Sequence, residues 1–230
     1  YGVTVSLTTV GRYLNGWGMS PQKPVRRAYE RNDAAIGRWL RTEYPAIARQ
    51  ARQERAMIYW GAEMGLRSDH VSGTSFAPRG QTPIVRATGQ RFGCNMISAI
   101  TNRGHLAFMV FHGKFDGRLF IRFMQRLLKQ APGKLYLIVD GHPVHRSVVA
   151  IKFVSANAER LRLIRLPGYC PELNPDELLN QDVKTNGLGK SRPTDRVEMM
   201  AGVRSHLRRR QRQPQVIRNL FKEKHVRYAA

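Results

Sequence analysis

The chain reads as an α/β protein, a mixed sheet flanked by helices, and three observations carry that reading. Leu135–Val139 is an unbroken apolar and aromatic run, the mark of a strand covered on both faces, and Leu161–Leu166 reads as a second such strand. The segments around them have helical periodicity. Leu119, Phe120, Phe123, Met124, Leu127, Leu128 and Ala131 recur on one face, and Val144, Val148, Ile151 and Val154 on another. Pro83–Thr88, Cys94–Thr101 and Leu106–His112 resemble successive strands of a meander. A meander followed by helix, strand, helix, strand and helix gives a sheet with both parallel and antiparallel neighbours.

Taken in order, residues 1–23 open with a short helix, Leu7 to Leu14, that Ser6 can cap, with Thr8, Thr9 and Arg12 facing outward. The Gly16–Trp17–Gly18 turn follows. One helix and a turn cannot bury a core alone. The segment reads as the last part of a helix-turn-helix or winged-helix module, or as an amphipathic surface helix. The opening Tyr1 in place of Met reads as a fragment or a processed chain. Residues 24–55 are a basic linker and a helix that Asn32 or Asp33 starts, with Ile36, Trp39, Leu40 and Ile47 inward and Pro45 kinking or dividing it. Ala56–Trp60 reads as a strand, and residues 66–82 as a polar loop marked by Gly and Pro. Asp116 caps the first amphipathic helix of the main domain. Thr194 or Asp195 opens the last one, with Val197, Met200, Val203 and Leu207 on its inner stripe and Pro214 as its stop. The main domain spans 56–213, and 214–230 reads as a C-terminal tail.

Composition limits the partners. Among 230 residues, 39 Lys and Arg face 16 acids, a formal charge of +23, while 42% hydrophobic content supports a packed core. Such an excess calls for a polyanion, and nucleic acid is the default. No run approaches the length of a membrane span and no signal-peptide pattern opens the chain. Cys94 and Cys170 lie far apart, so neither a disulfide framework nor a zinc motif is indicated.

The acids at strand ends carry the chemistry. Asp140 follows the strand Leu135–Val139, and a Pro-rich turn after Leu166 delivers Asp176 and Glu177. Each has a plainer reading. Asp140 can cap the next helix, with Pro143 in its first turn, and Glu177 can close a capping box with Asn174. A helix start also fixes a carboxylate well, so the readings are compatible. Mg²⁺ favours one or two carboxylates completed by water and substrate phosphates, which suits phosphodiester chemistry on so basic a chain. Two acids are few for a two-ion site, and a further one is expected on the first strand. His142 and His145 could join the acids in a Zn²⁺ or Mn²⁺ site or serve structurally. Ser68, Asp69 and His70 are consecutive, so they cannot converge as a hydrolase triad.

Three strings, IYWGAEMGLRSDH at 58–70, LIVDGHPVH at 137–145 and LPGYCPELNPDELLNQDVK at 166–184, together resemble the catalytic core of mariner-superfamily transposases, most of all the bacterial insertion-sequence 630 branch. The resemblance runs through RGQTP at 79–83 to RRRQRQPQVIRN at 208–219. It implies a ribonuclease-H-like DDE domain over 56–213, with a triad of Asp, Asp and Asp or Glu. Asp140 matches the second acid and Glu177 the third, both as ligands of two Mg²⁺ ions, with Mn²⁺ as substitute; Asp176 is less favoured. It implies binding of double-stranded DNA at terminal inverted repeats, cleavage at the element's ends and joining of the 3′ ends to target DNA at TA sites. A homodimer that pairs two ends, working in the bacterial cytoplasm and nucleoid, belongs to the same picture.

The sequence departs from the family at the first acid. Where the family has Asp followed by Glu, this chain has Ala62 followed by Glu63. Ala62 has no oxygen to offer a cation, and neighbouring strand residues point to opposite faces, so Glu63 does not simply replace it. The chain therefore reads as catalytically disabled, by an engineered Asp→Ala rather than by natural decay or domestication. Thr8, Thr9, Arg12, Lys23, Arg26 and Arg27 lie where the family contacts its terminal repeats. Arg67, His70 and Arg79 lie in a loop that in relatives reaches toward the partner subunit or its DNA. Arg204, Arg208, Arg209, Arg210 and Arg212 are expected to meet phosphates, and His145 to orient Asp140 or touch DNA. A domesticated DNA-binding protein without cleavage, and a ribonuclease-H-like nuclease or resolvase, are the competing readings.

Overall fold

The computed structural model describes residues 2, 4–22, 28–69, 76–82, 84, 88–189 and 191–230. It divides into two compact units, Tyr1–Arg31 and Asn32–Ala230. In the first, helix α1 (Leu7–Gly16) starts at Ser6, whose side chain accepts the Thr9 amide hydrogen. No residue of α1 is buried, and Leu7, Tyr13 and Trp17 are exposed. Among the described residues of this unit α1 is the single helix, and no second element there covers its apolar side.

In the second unit one helical run covers residues 33–53: α2 (Asp33–Arg38), a π-helical stretch (Trp39–Glu43) and α3 (Tyr44–Gln53). Pro45 has no amide hydrogen and its ring crowds the carbonyl four residues back. The helix widens just ahead of it, and the Tyr44 amide bonds to Trp39 O, five residues back. The run is widened rather than divided. That wide turn rotates the inner stripe, so Ile36, Trp39, Tyr44 and Ile47 are buried while Leu40, expected inward, is exposed.

The sheet has the order β3-β2-β1-β4-β5. Its antiparallel half is β1 (Met57–Arg67), β2 (Gly93–Ile100) and β3 (Leu106–Phe111); β4 (Leu135–Val139) and β5 (Leu161–Arg165) continue it in parallel. β1 runs well past the expected Trp60, because β2 pairs with it through Arg67. Its pairing with β4 stops at Trp60↔Ile138. Gly61, Ala62 and Glu63 therefore overhang the carboxyl end of β4. The strand expected over 83–88 falls largely outside the described residues.

α4 (Gly117–Gln130), capped by Asp116, and α5 (Val148–Ala156), capped by Ser147, cover one face through Phe120, Phe123, Met124, Leu127 and Ala150. α3, α6 (Pro175–Asp182), α7 (Arg196–Gln211) and α8 (Pro214–Leu220) share the core on the other face. β4 lies between the two layers and all five of its residues are buried. Pro143 opens a separate 3-10 turn and Ser147 restarts the helix, which shifts the inner face of α5 to Ala150, Phe153 and Val154. Val148 and Ile151, expected inside, are exposed. α7 starts at Asp195, so its stripe is Met199, Val203, His206 and Leu207, and Val197 faces out.

Residues 214–230 are not a tail. Ile217, Phe221, Val226 and Ala229 are buried, and the Tyr228 ring meets Tyr44 and Trp60 edge-on at 4.9 and 5.7 Å. The helix at 33–53 likewise belongs to the sheet's unit rather than to a linker, because its apolar stripe completes the same core.

Candidate active site

The start of α6 closes the open flank of β1. Asn174 caps the helix by accepting the Asp176 amide hydrogen at 3.1 Å, and its Nδ2 donates to Gly61 O at 3.0 Å. Asp176 Oδ2 accepts from the Ala62 amide at 2.9 Å and from the Ser98 hydroxyl at 2.7 Å. These bonds fix the helix that carries Glu177 to the strand that carries residue 62. Asp176 is fully buried, and its Oδ1 and the Asn180 Oδ1 one turn on have no partner among the described residues. Burial pushes the Asp176 carboxyl well above its ordinary range, more than the Ser98 hydroxyl pulls it down. Ser98 was not singled out in sequence, whereas Asn174 was expected as a helix cap and Asp176 as the less favoured third acid. Ser98, a polar residue inside an apolar strand, was the available signal.

Glu177 does not close the expected capping box. Its Oε2 accepts from Asn180 Nδ2 at 3.1 Å, and it lines a cavity of about 320 Å³ together with Asp140. Burial raises its pKa, and the Asp140 charge adds to that against the Asn180 bond. At the end of β4, Asp140 Oδ1 accepts the His142 amide hydrogen at 3.0 Å and faces His145 Nδ1 at 3.1 Å. Burial alone pushes the Asp140 carboxyl up, but these bonds prevail and hold it below its ordinary value. Glu63 lies opposite Ile97 in the ladder, on the other face from Ala62 and Ser98. It is nonetheless within the field of the site: burial first, then the Asp140 and Glu177 charges, raise its pKa against His145.

His145 is only 2% exposed and packs 4.7 Å from the Phe120 ring. Its Nδ1 lies against Asp140, and its burial leaves little ring surface for the DNA contact also expected of it. His142 Nδ1 accepts the Val144 amide hydrogen, and burial lowers its pKa. Among the described residues no three His, Cys, Asp or Glu side chains converge in a metal-binding group.

On α7, Arg204, Arg208, Arg209 and Arg212 with Ser205 line one open concavity of about 480 Å³. Arg204 spends one donor on Val110 O at 3.2 Å, and Arg209 pairs with His206 Nδ1 at 3.0 Å. Arg210 departs from the expected phosphate role. Its guanidinium grips both Asp182 oxygens at 2.7 Å, and His206 Nε2 adds a third bond at 2.7 Å. Burial pushes Asp182 up, but His206, Arg210 and Asn186 together hold it far below the carboxylate range. Helical spacing from Arg210 reaches inward to α6, which the count of arginines could not reveal. Thr8 and Arg12 are exposed, and Thr9 Oγ1 bonds to Ser6 Oγ at 2.9 Å. Arg67 holds Asp69 with two bonds of 2.8 and 2.6 Å, and Arg79 is exposed. Lys23, Arg26, Arg27 and His70 lie outside the described residues.

The family described as DDE superfamily endonuclease matches residues 57–200, which hold the whole sheet, Asp140 and Glu177. The chain belongs to the DDE superfamily of endonucleases. A winged helix-turn-helix family matches residues 1–43. No curated protein matches this DDE chain. Among solved structures, the Mos1 transposase paired-end complex with the left transposon end aligns with TM-score 0.66 at 14% identity, over 98% of this chain and 71% of that one. The Mos1 strand transfer complex gives 0.65 at 13%, over 98% and 71%. The catalytic domain of Mos1 mariner transposase gives 0.54 at 10%, over 92% and 98%. At these identities the likeness is one of fold: a ribonuclease-H-like mixed sheet flanked by helices, preceded by a winged helix-turn-helix segment.

The donors of this DDE chain suit a hard divalent cation. Asp140 and Glu177 open on one cavity, and Glu63 and Glu177 carry pKa values raised in part by neighbouring acids, a repulsion that a cation relieves. Ala62 adds no oxygen to the set.

Proposed function

We propose that the chain is a DNA transposase of the mariner superfamily, insertion-sequence 630 branch, in a form that binds its DNA and does not cut it. The observation that carries this is the pairing of Asp140 and Glu177 on one cavity beside a strand whose residue 62 has only a methyl group. Asp140, oriented by His142 and His145, and Glu177, steadied by Asn180, hold Mg²⁺, or Mn²⁺ in its place. When bound, the cation lowers the pKa of a bound water and offsets charge at the scissile phosphate. The intact enzyme cleaves phosphodiester bonds at the transposon ends and joins the 3′ ends to target DNA at TA sites.

Terminal inverted repeats are read by the first unit and linker, through Thr8, Thr9, Arg12, Lys23, Arg26 and Arg27. Arg67, His70 and Arg79 reach toward the partner subunit or its DNA, and Arg204, Arg208, Arg209 and Arg212 take phosphates. Two copies pair two ends, and the work is done at the bacterial nucleoid. Support comes from the family match, from the fold shared with Mos1 paired-end and strand transfer complexes, and from Mos1 complexes that contain Mn or Mg. An engineered Asp→Ala accounts for Ala62 while two acids persist; a domesticated binder accounts for Ala62 alone.

The test is equilibrium binding to an element's terminal repeat against Holliday junctions and RNA–DNA hybrids. The repeat should bind tightest, with log K falling by about 0.9 per phosphate contact for each tenfold rise in salt. Preference for junctions or hybrids turns the assignment to a resolvase or nuclease, and binding unmoved by salt between about 50 and 200 mM removes the DNA reading altogether.

A further inference from the structure

The turn that delivers Glu177 also holds a strained aromatic residue. Tyr169 has φ 56°, in the left-handed region that crowds any side chain with a Cβ and that glycine enters freely. Gly168, immediately before it, is not among the glycines of positive φ, so the chain places the strain on Tyr instead of on its glycine neighbour. Cys170 is the local cause. Its thiol is buried and donates to Pro167 O at 3.0 Å, which tightens the turn and leaves the residue before it pointing out of the core. The Tyr169 side chain is accordingly 57% exposed.

That exposed ring lines the same cavity of about 320 Å³ as Asp140 and Glu177. The lining is of two kinds. Besides the acids and Arg146 it includes Leu166, Pro167, Tyr169 and Pro171, an apolar set that a phosphate group alone does not use. A nucleotide uses both, because its phosphate is anionic and its base has a flat π face. The volume lies within the range of small-molecule pockets. Strain retained on a side chain at such a place is the pattern of a functional position.

We propose that Tyr169 is a base-stacking residue, which seats the nucleotide beside the scissile phosphate against its ring, out of the duplex stack. This rests on reading the cavity of Asp140 and Glu177 as the phosphodiester site. Stacking on the ring would draw the base away from its neighbours while the backbone meets the acids.

The experiment uses the whole chain with Mg²⁺ present and two probes: a blunt transposon-end duplex, and the same end with a short single-stranded extension carrying 2-aminopurine at the junction. Tyr169→Phe keeps the ring; Tyr169→Gly keeps the turn and removes both ring and strain. The expected result is quenched 2-aminopurine fluorescence with the parent chain and Tyr169→Phe. Tyr169→Gly should lose the quenching and bind the extended end about tenfold more weakly, the usual effect of one base–aromatic stack. Equal quenching and affinity across all three chains, with salt-dependent binding intact, overturns the stacking role and leaves the transposase reading standing. Failure of the parent chain to bind either probe overturns both.

Discussion

Replacing Ala62 by Asp is the sharpest test of what residue 62 faces, because it reads stability and chemistry at once. Ala62 is 2% exposed, and its amide sits 2.9 Å from Asp176 Oδ2, on the helix turn that also bears Glu177. A carboxylate attached there enters a neighbourhood where burial already raises Asp176 and Glu177. Two like charges about 5 Å apart at an effective dielectric of about 20 repel by roughly 3 kcal/mol. Ala62→Asp should therefore lower unfolding stability by about that much in EDTA, measured by urea titration. A cation held by residue 62 with Asp140 and Glu177 reverses the sign. At about 100 times its Kd, Mg²⁺ returns roughly 2.7 kcal/mol to the variant and much less to the parent. The same protein should nick transposon-end duplex in Mg²⁺ and not in EDTA, with the parent inert in both. A variant as stable as its parent in EDTA, indifferent to Mg²⁺ and unable to nick refutes the placement of residue 62 at a metal site.

Further outcomes follow from the same contacts and charges. Arg210→Ala leaves the half-buried Asp182 without its bidentate partner but with His206 and Asn186 still bonded, and should cost about 1.5–3 kcal/mol by urea unfolding. Arg208→Ala and Arg212→Ala should stay within about 0.5 kcal/mol of the parent and each lower the salt slope of DNA binding by about 0.9. Trp39 Nε1 donates to the Tyr228 hydroxyl at 3.1 Å, which donates to Leu173 O at 2.8 Å, so Tyr228→Phe should cost about 1–3 kcal/mol and Tyr228→Ala about 3–5. Asp176 and Glu177 have folded pKa values above the unfolded ones, so their contribution is fully present below about pH 4 and is lost as pH rises through the folded values. Unfolding midpoints in EDTA should fall with rising pH over that window, and Asp176→Asn should flatten the fall. Asp182 works in the opposite direction: its stability is present above the ordinary carboxylate range and is lost as pH falls toward its depressed value.

Elements whose periodicity is set by one buried face were legible in the sequence. α4 and β4 lie where their apolar residues put them, because each packs as a regular element with nothing to shift its phase. Where phase is reset, local pattern misled. The widened turn ahead of Pro45 moved Leu40 out and Tyr44 in, and the separate turn at Pro143–Arg146 exposed Val148 and Ile151. Residues 214–230 looked like a tail because short apolar spacings count for little until a partner is known, here Tyr44 and Trp60. At the site, Asp140 and Glu177 were expected from strand ends and motif, and both line one cavity. The contacts that position them were not. Asp176 reaches Ala62 and Ser98 across 114 and 78 residues of sequence, and no local pattern encodes such separations. Arg210 misled in the same way, since charge suggested DNA while the structure pairs it with Asp182; of the two readings of His145, the contact with Asp140 is the one seen.

Asp140 and Glu177 line one cavity, with Glu63 within their field, on a chain whose formal charge is +23. The two signs act over different ranges. The excess of Lys and Arg draws DNA from a distance and needs no cation, whereas the acids repel the phosphate that must finally approach them. Arginines such as Arg208 and Arg212 can hold the backbone on α7 without easing that local repulsion, since exposed charges are screened beyond about 10 Å in ordinary salt. Overall affinity should thus depend on salt, and the seating of the scissile nucleotide on divalent cation. Under the proposal that residue 62 holds the place of the first acid, Ala62 takes one acid from the repelling set and one ligand from the cation. Its effect would then fall on the second step alone, and the proposed transposase would keep its fold and DNA affinity while lacking the cut.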